Sequence, residues 1–120
     1  MNARQVIGKW GENVAAETLR NRGWTVAARN YRTPYGELDI IARKGNFVLF
    51  VEVKTRTSDA FGMPEDSISP SKAKHLLESA QYYLQQNGLE EIDWRVDVIA
   101  IQGRPNQPNT HIEWFENVLS

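Results

Sequence analysis

The chain has 120 residues, no cysteine and a net charge of −1, with 41% hydrophobic and 24% charged residues. This length fits a single domain over residues 1–120, large enough to bury a core without disulfides. The composition is that of an ordinary globular protein, and no run of about 20 apolar residues could span a membrane. The absence of cysteine excludes thiolate metal sites and a cysteine nucleophile. Residues 1–11 lack the apolar core of a signal peptide, so the expected location is the cytoplasm.

Charge is unevenly distributed along the chain. Residues 1–56 carry a net charge of +5, whereas residues 57–120 carry −6. The near-zero total argues against a protein that simply coats nucleic acid, but the basic first half is compatible with an anionic partner. A scatter of solubilising surface charges explains the same asymmetry equally well, so it supports a partner without establishing one.

Helical spacing predicts a first helix from about Arg4 to Arg22, which Gly23 ends. Its apolar face is formed by Ile7, Trp10, Val14, Thr18 and Leu19. Gly8 and Gly11 lie inside this helix at a cost of roughly 1 kcal/mol each relative to alanine. They indicate close packing against the sheet or close approach of the backbone to a ligand. Glu12 lies at the border of the apolar face, where spacing alone favours a solvated acid.

The other elements follow from periodicity and turn signals. They are a strand at Trp24–Tyr31, a turn at Arg32–Gly36, a hairpin at Gly36–Arg56, a polar loop at Thr57–Asp66, a helix from Ser69-Pro70 to about Gln86, a strand at Asp93–Ile101 and an edge strand at His111–Asn117. The inward side of the second helix is predicted to be Ala73, Leu76, Leu77, Ala80, Tyr83 and Leu84. This αβββαββ order indicates an α/β domain with a mixed sheet of about five strands flanked by helices.

The hairpin carries charges on otherwise apolar strands. Alternation places Glu37, Asp39 and Ile41 on one face of the first strand, and Leu38, Ile40 and Ala42 on the other. In the second strand, Phe50, Glu52 and Lys54 share one face, and Val51 and Val53 share the opposite one. Two acids and a lysine on one side of a sheet could bind a divalent cation and activate water, if the register brings them together.

The turn determines that register. A two-residue turn at Gly45-Asn46 pairs Lys44 with Phe47 and places Asp39 opposite Glu52, with Cβ atoms about 4.5–5.5 Å apart. The same register places Glu37 opposite Lys54. A three-residue loop would shift the register by one residue and send Asp39 and Glu52 to opposite faces, unless a bulge compensated.

An Asp39–Glu52 pair is a like-charge pair and should be destabilising by itself. It is better explained by a metal ion between the two carboxylates than by a solvated hairpin face. Carboxylates more than about 8 Å apart could not share one ion, because ligand distances are about 2.0–2.6 Å.

Other residue types carry weaker signals. Asp97 lies in an apolar strand, where it either belongs to the site or pairs with Arg95 or another buried cation. The four tryptophans occupy apolar positions and are expected in the core: Trp10, Trp24, Trp94 and Trp114. Serines without a His-Asp partnership do not support a catalytic triad.

With Glu12, Asp39, Glu52 and Lys54 in view, the chain resembles the PD-(D/E)xK nuclease superfamily, and its layout is similar to that of archaeal Holliday-junction resolvases. It resembles the YraN family of small bacterial proteins more closely still. The matching residues are Gly8, Gly11-Glu12, Ala15, Asn30-Tyr31-Arg32, Gly36 to Ala42, Phe50 to Arg56, Gly62, Pro64, Glu65, Lys72 and Arg95-x-Asp97-Val98. Two departures stand out: Leu38 replaces the proline of the superfamily name, and the second helix is only mildly basic.

The resemblance implies a restriction-endonuclease-like fold and a metal-dependent nuclease acting on nucleic acid, with branched or structured DNA among the candidate substrates. It implies that Asp39, Glu52 and the carbonyl of Val53 hold Mg²⁺ or Mn²⁺, with Glu12 completing the site. Lys54 would orient the attacking water or stabilise the phosphate. Flanking phosphates would be bound by Arg32, Arg56 and Lys72, and a symmetric homodimer is expected. A non-catalytic nucleic-acid-binding or partner-binding domain is the alternative, because a fold does not guarantee turnover. A structural role for the acids is a third, weaker option.

Overall fold

The computed structural model describes residues 1–57 and 68–119. The predicted polar loop at 57–66 therefore lies outside the described residues except for Thr57, as do Gly62, Pro64 and Glu65 of the resemblance. Within the described ranges, no helix combines the length and apolarity needed to cross a membrane.

Within residues 1–57 and 68–119, two helices and five strands form an α/β domain in the expected αβββαββ order. They are α1 (Ala3–Asn21), β1 (Thr25–Thr33), β2 (Gly36–Lys44), β3 (Phe47–Arg56), α2 (Pro70–Gln86), β4 (Asp93–Gln102) and β5 (His111–Phe115). The sheet is mixed, with the strand order β1-β2-β3-β4-β5. Only the β3–β4 pair is parallel, because α2 connects these two strands as a crossover. The predicted fold class is confirmed, and β5 lies at the sheet edge as expected.

The two helices pack on opposite faces of the sheet and create two hydrophobic cores. The α1-side core contains Ala15, Ala16, Leu19, Ile40, Ala42, Leu49, Val51, Ile99 and Ile101. The α2-side core contains Leu38, Ile41, Val48, Phe50, Leu76, Ala80, Tyr83, Leu84 and Val96. The four tryptophans are partly buried against these cores, which confirms their predicted packing role. The central strands are covered on both sides, so they are apolar almost throughout.

Small residues bring α1 close to the sheet. Asn2 caps the helix by accepting a hydrogen bond from the Gln5 N–H at 2.8 Å, and Gly23 ends it with φ of 89°. The buried positions are Gly11, Ala15, Ala16 and Leu19. The predicted apolar face does meet the sheet, since Leu19 is buried and Trp10 and Val14 pack, partly buried, against the α1-side core. Close contact adds the small residues Gly11, Ala15 and Ala16 to this face.

The second helix begins and ends where the sequence predicted. Ser69 accepts a hydrogen bond from the Lys72 N–H at 3.1 Å, and Pro70 occupies the first turn. Leu77 was wrongly predicted to face inward, since 38% of it is exposed. Ser79 is buried instead, and its hydroxyl lies 2.9 Å from that of Thr33 at the end of β1.

Asp97 anchors the last strand. Its fully buried carboxylate accepts hydrogen bonds from Arg95 Nε at 3.0 Å, from Trp114 Nε1 at 2.8 Å and from the backbone N–H of Asn117 at 2.8 Å. Of the two roles left open for Asp97, pairing with Arg95 is therefore confirmed. These bonds tie β5 and the residues after it to β4.

Replacing Asp97 with asparagine should lower the free energy of unfolding by about 3 kcal/mol or more, because Arg95 then loses its buried anionic partner. Chemical denaturation measures this loss. Glu116→Gln is the control: it removes only the exposed Arg95–Glu116 ion pair of 3.5 Å and should cost less than about 1 kcal/mol. Equal effects of the two substitutions would contradict an anchoring role for Asp97.

Gly11 should not tolerate a methyl group. A Cβ there would overlap the hydroxyl of Thr55 and approach its Cγ2 to 2.8 Å. Gly11→Ala should therefore destabilise the fold by about 1–3 kcal/mol, despite the better helix propensity of alanine. In a Thr55→Ala background the same substitution should cost much less, which a double-mutant cycle measures. A stabilising Gly11→Ala would show that α1 does not rest closely on β3.

Candidate functional site

The hairpin has the register that places its acids together. The turn consists of Gly45 and Asn46, and Lys44 pairs with Phe47. Gly45 has φ of 57°, a conformation that glycine adopts without strain. The two-residue turn is thus confirmed, and the three-residue alternative is excluded.

Beyond Ile40 and Val51, strands β2 and β3 separate. Their pairing ends with these two residues, after which β2 pairs only with β1 and β3 only with β4. At the point of separation, Oδ2 of Asp39 accepts a hydrogen bond from the backbone N–H of Val53 at 2.8 Å. Because strand N–H groups lie near the plane of the sheet, this bond holds the Asp39 carboxyl group in the gap between the strands. We call this gap the fork.

The fork corrects three expectations. Asp39 and Glu52 are not a ladder pair, and Glu37 does not pair with Lys54, because pairing has already ended. Glu37 instead pairs with Arg32 on β1, at 3.6 Å between carboxylate and guanidinium. Finally, Leu38 and Ile40 do not share a face, because Leu38 packs in the α2-side core and Ile40 in the α1-side core. Alternation fails here because Asn30, between the β1 residues that pair with Leu38 and Ile40, has φ of 52°.

The Asp39 and Glu52 carboxyl groups nevertheless meet. The pKa of Asp39 is raised from 3.8 to about 8, mostly by burial and further by repulsion from Glu52 and a hydrogen bond with it. The Val53 N–H acts in the opposite direction, and a small contribution from Glu12 raises the pKa further. Both effects of Glu52 on this pKa show that the two carboxyl groups are close neighbours, as the sharing of one ion would require.

Glu52 and the nearby helix acid Glu12 each have a cationic partner. Glu52 is buried and lies 3.1 Å from Nζ of Lys72 on α2. Glu12 on α1 accepts hydrogen bonds from Arg29 Nε at 2.9 Å and from Asn30 Nδ2 at 3.0 Å. The acids therefore converge from three elements, with cationic side chains from β1 and α2 beside them.

A cavity of about 740 Å³ occupies the fork on the α1 side. It is lined by Arg4, Ile7, Gly8, Glu12, Asn30, Glu37, Asp39, Val53, Lys54, Thr55, Arg56 and Thr57. Lys54 and Arg56 come from β3, so the strand that carries Glu52 also supplies cations to the cavity. A substrate phosphate in this cavity would lie beside Asp39 and between cationic side chains.

The remaining predicted residues are placed as follows. Arg32 is highly exposed beside Glu37, Arg56 lines the cavity, and Lys72 contacts Glu52 rather than the cavity. Asp97 belongs to the β5 anchor and not to the site. Among the four residues predicted to be catalytic, Glu12, Asp39 and Lys54 line the cavity, whereas Glu52 does not line it and lies next to Asp39.

Sequence reasoning did not identify Arg29 and Asn30 as the partners of Glu12. An asparagine within a strand was the available signal, since asparagine is favoured at positive φ and thus at irregular strand positions. The contribution of Arg4 to the cavity was also missed, because it depends on the angle at which α1 crosses the sheet. Gly8, for which the sequence left close packing or approach of a ligand open, lines the cavity.

The donor set fits a magnesium-like ion. No group of three or more His, Cys, Asp or Glu side chains suited to a metal occurs within residues 1–57 and 68–119. Magnesium, however, is commonly held by one or two carboxylates together with waters and substrate phosphates. Asp39 and Glu52 supply two such carboxylates, and the adjoining cavity leaves room for water and phosphate.

Comparison with known proteins identifies the family. Residues 11–101 match the model of the uncharacterised protein family UPF0102, which is the YraN family. A UPF0102 protein of Neisseria meningitidis serogroup C is 44% identical over 111 residues, which is 92% of each chain. One from Syntrophotalea carbinolica is 42% identical over 87% of this chain and 85% of its own length. One from Dehalococcoides mccartyi is 35% identical over 97% of this chain and 94% of its own. On the strength of these matches, the chain belongs to the UPF0102 family.

Proposed function

We propose that this protein is a divalent-metal-dependent nuclease that hydrolyses phosphodiester bonds in nucleic acid, with branched or structured DNA as the first substrates to test. The observation that carries the proposal is the meeting of two carboxyl groups, Asp39 and Glu52, at a fork in the sheet. Two neighbouring carboxyl groups, of which Glu52 is buried and Asp39 partly buried, are costly unless a proton or a cation lies between them. The cations lining the adjacent cavity favour a phosphate-bearing ligand.

In this proposal Asp39 and Glu52 hold Mg²⁺ or Mn²⁺, with the Val53 carbonyl as a further oxygen ligand. When bound, such an ion lowers the pKa of coordinated water and stabilises charge on the phosphate. Lys54 lies in the same cavity and orients the water or neutralises the phosphate. Arg56 binds a flanking phosphate, and Glu12, held by Arg29, adds negative charge next to Asp39.

Lys72 has a different position from that of a simple phosphate ligand. Its ammonium group contacts Glu52 at 3.1 Å and supplies positive charge to the carboxyl pair. A metal ion bound by Glu52 would compete with this ammonium group. Lys72 would then be available for a phosphate, which reconciles its contact with Glu52 and its predicted role in nucleic-acid binding.

The second candidate function is a non-catalytic nucleic-acid-binding or partner-binding domain. The ion pairs of Glu52 with Lys72 and of Glu12 with Arg29 favour it, because they satisfy two of the acids without a metal. In such a domain the cavity cations would bind phosphate, and no hydrolysis would occur. Binding that persists when Asp39 is replaced, in the absence of any cleavage, would support this candidate.

Metal-dependent cleavage is the first test. Branched, flap and plasmid DNA and structured RNA are incubated with Mg²⁺ or Mn²⁺, and products are resolved on gels. Asp39→Asn and Lys54→Met should each lower the cleavage rate by about 100-fold or more. Glu17→Gln is the control, since Glu17 is an exposed α1 acid that pairs only with Arg20 at 3.8 Å among the contacts described. Cleavage that survives both site substitutions would reject the proposed catalytic roles.

The pH dependence of stability is a second test. Because the pKa of Asp39 rises from 3.8 to about 8 on folding, the folded protein binds more protons between these values. The stability that the protonated Asp39 carboxyl group contributes to the folded state is fully present below pH 3.8 and is lost as pH rises to about 8. Between pH 5 and 8, the free energy of unfolding of the metal-free wild type should therefore fall by on the order of 1–3 kcal/mol more than that of Asp39→Asn. The asparagine of this variant cannot ionise.

Denaturation with EDTA at several pH values measures this difference. Mg²⁺ should stabilise the wild type increasingly as pH approaches 8, because the ion replaces the proton on Asp39. Parallel pH profiles for the wild type and Asp39→Asn would contradict a protonated carboxyl group at the fork.

A further inference from the structure

Gly8 is a helical glycine that the fold does not require. It lies in the second turn of α1, and a Cβ built there meets nothing within 4 Å. Gly11 differs, because its missing side chain is needed for contact with Thr55. A glycine inside a helix is destabilising by roughly 0.5–1 kcal/mol relative to alanine. Packing therefore explains Gly11 but leaves Gly8 without a structural reason.

Gly8 lies where two cavities adjoin. The fork cavity of about 740 Å³ and a neighbouring cavity of about 720 Å³ share Gly8, Glu12, Asn30 and Glu37 as lining residues. Together they form one trough along α1, which we call the α1 trough. Arg4, Gly8 and Glu12 follow one another at four-residue spacing, so they share a helix face toward it. A side chain at position 8 would project into the trough at its middle.

The charges of the trough fit a polyanion. Five cationic side chains line it, from both the helix and the sheet: Arg4, Lys9, Arg32, Lys54 and Arg56. Three carboxyl groups also line it, but Glu12 is paired with Arg29, and Glu37 with Arg32. The third, Asp39, belongs to the proposed metal centre. Within residues 1–57 and 68–119, no aromatic side chain lines the trough, so a platform for stacking bases is missing there.

We propose that a sugar–phosphate backbone lies in the α1 trough and crosses α1 at Gly8, where the absence of a side chain lets it approach the helix main chain. Recognition is then through phosphates rather than bases, which makes binding sensitive to salt and nearly independent of sequence. Gly8 acts as a positioning residue that places the strand over Asp39. This inference rests on the proposed function, because it assumes that the ligand is a nucleic acid.

Substitutions of increasing size at Gly8 test the inference, because the fold has room for them. Gly8→Ala and Gly8→Leu should fold with melting temperatures equal to or above that of the wild type. Gly8→Leu should weaken binding of a fluorescently labelled oligonucleotide by about tenfold or more, as expected for steric overpacking, and Gly8→Ala by less. Anisotropy titrations in EDTA, with two oligonucleotides of unrelated sequence, separate binding from hydrolysis.

Val6→Leu is the matched control. Val6 is an exposed α1 residue that does not line either cavity, so added bulk there should leave binding unchanged. If the wild type binds or cleaves nucleic acid and Gly8→Leu does so equally well, the crossing at Gly8 is wrong while the proposed function survives. A strong preference for one sequence would overturn backbone recognition. If the wild type neither binds nor cleaves any nucleic acid, the proposed function fails and the inference fails with it.

Discussion

Where β2 and β3 separate, the Asp39 side chain takes the place of a main-chain carbonyl as the hydrogen-bond acceptor. The hydrogen bond from the Val53 N–H to Asp39 ends the pairing of the two strands without leaving that donor unsatisfied. The fork that results provides both the carboxyl pair and the cavity beside it. Had the ladder continued past Ile40 and Val51, Asp39 would have lain on one face of a closed sheet, with no cavity in the sheet plane. The site therefore depends on this local failure of strand pairing.

Under the proposed function, the charges around the fork would be balanced in two ways, without and with a metal ion. Without a metal, a proton on the carboxyl pair and the ammonium group of Lys72 relieve repulsion between Asp39 and Glu52. With a metal, the ion would take over both roles. Lysine suits such an exchange, because its long and flexible side chain can withdraw toward solvent at little cost. The fixed pairing of Glu12 with Arg29 and Asn30 contrasts with this and keeps the helix acid in place.

Close packing of α1 on the sheet controls the shape of the trough. Gly11, Ala15 and Ala16 allow the helix to rest on β3. This close packing places Gly8 and Glu12 of α1 at the mouth of the fork. The two glycines of this helix thus have different roles. Gly11 permits close contact with Thr55, whereas Gly8 leaves open space beside the helix. On the opposite face, α2 brings Lys72 to Glu52, so both helices contribute charged groups to the site.

Local signals in the sequence determined the elements and the hairpin register. Alternation, helical spacing, the Ser69-Pro70 cap and the Gly45-Asn46 turn depend on neighbouring residues, so they could be interpreted without tertiary information. They predicted the αβββαββ order, the contact of Asp39 with Glu52 and the core role of the tryptophans. The separation of β2 from β3, the inward position of Ser79 in place of Leu77 and the partners of Glu12 were decided only by the tertiary structure. Each of these depends on how distant elements approach one another: where a ladder stops, which side of a helix meets the sheet, and which cation lies nearest an acid.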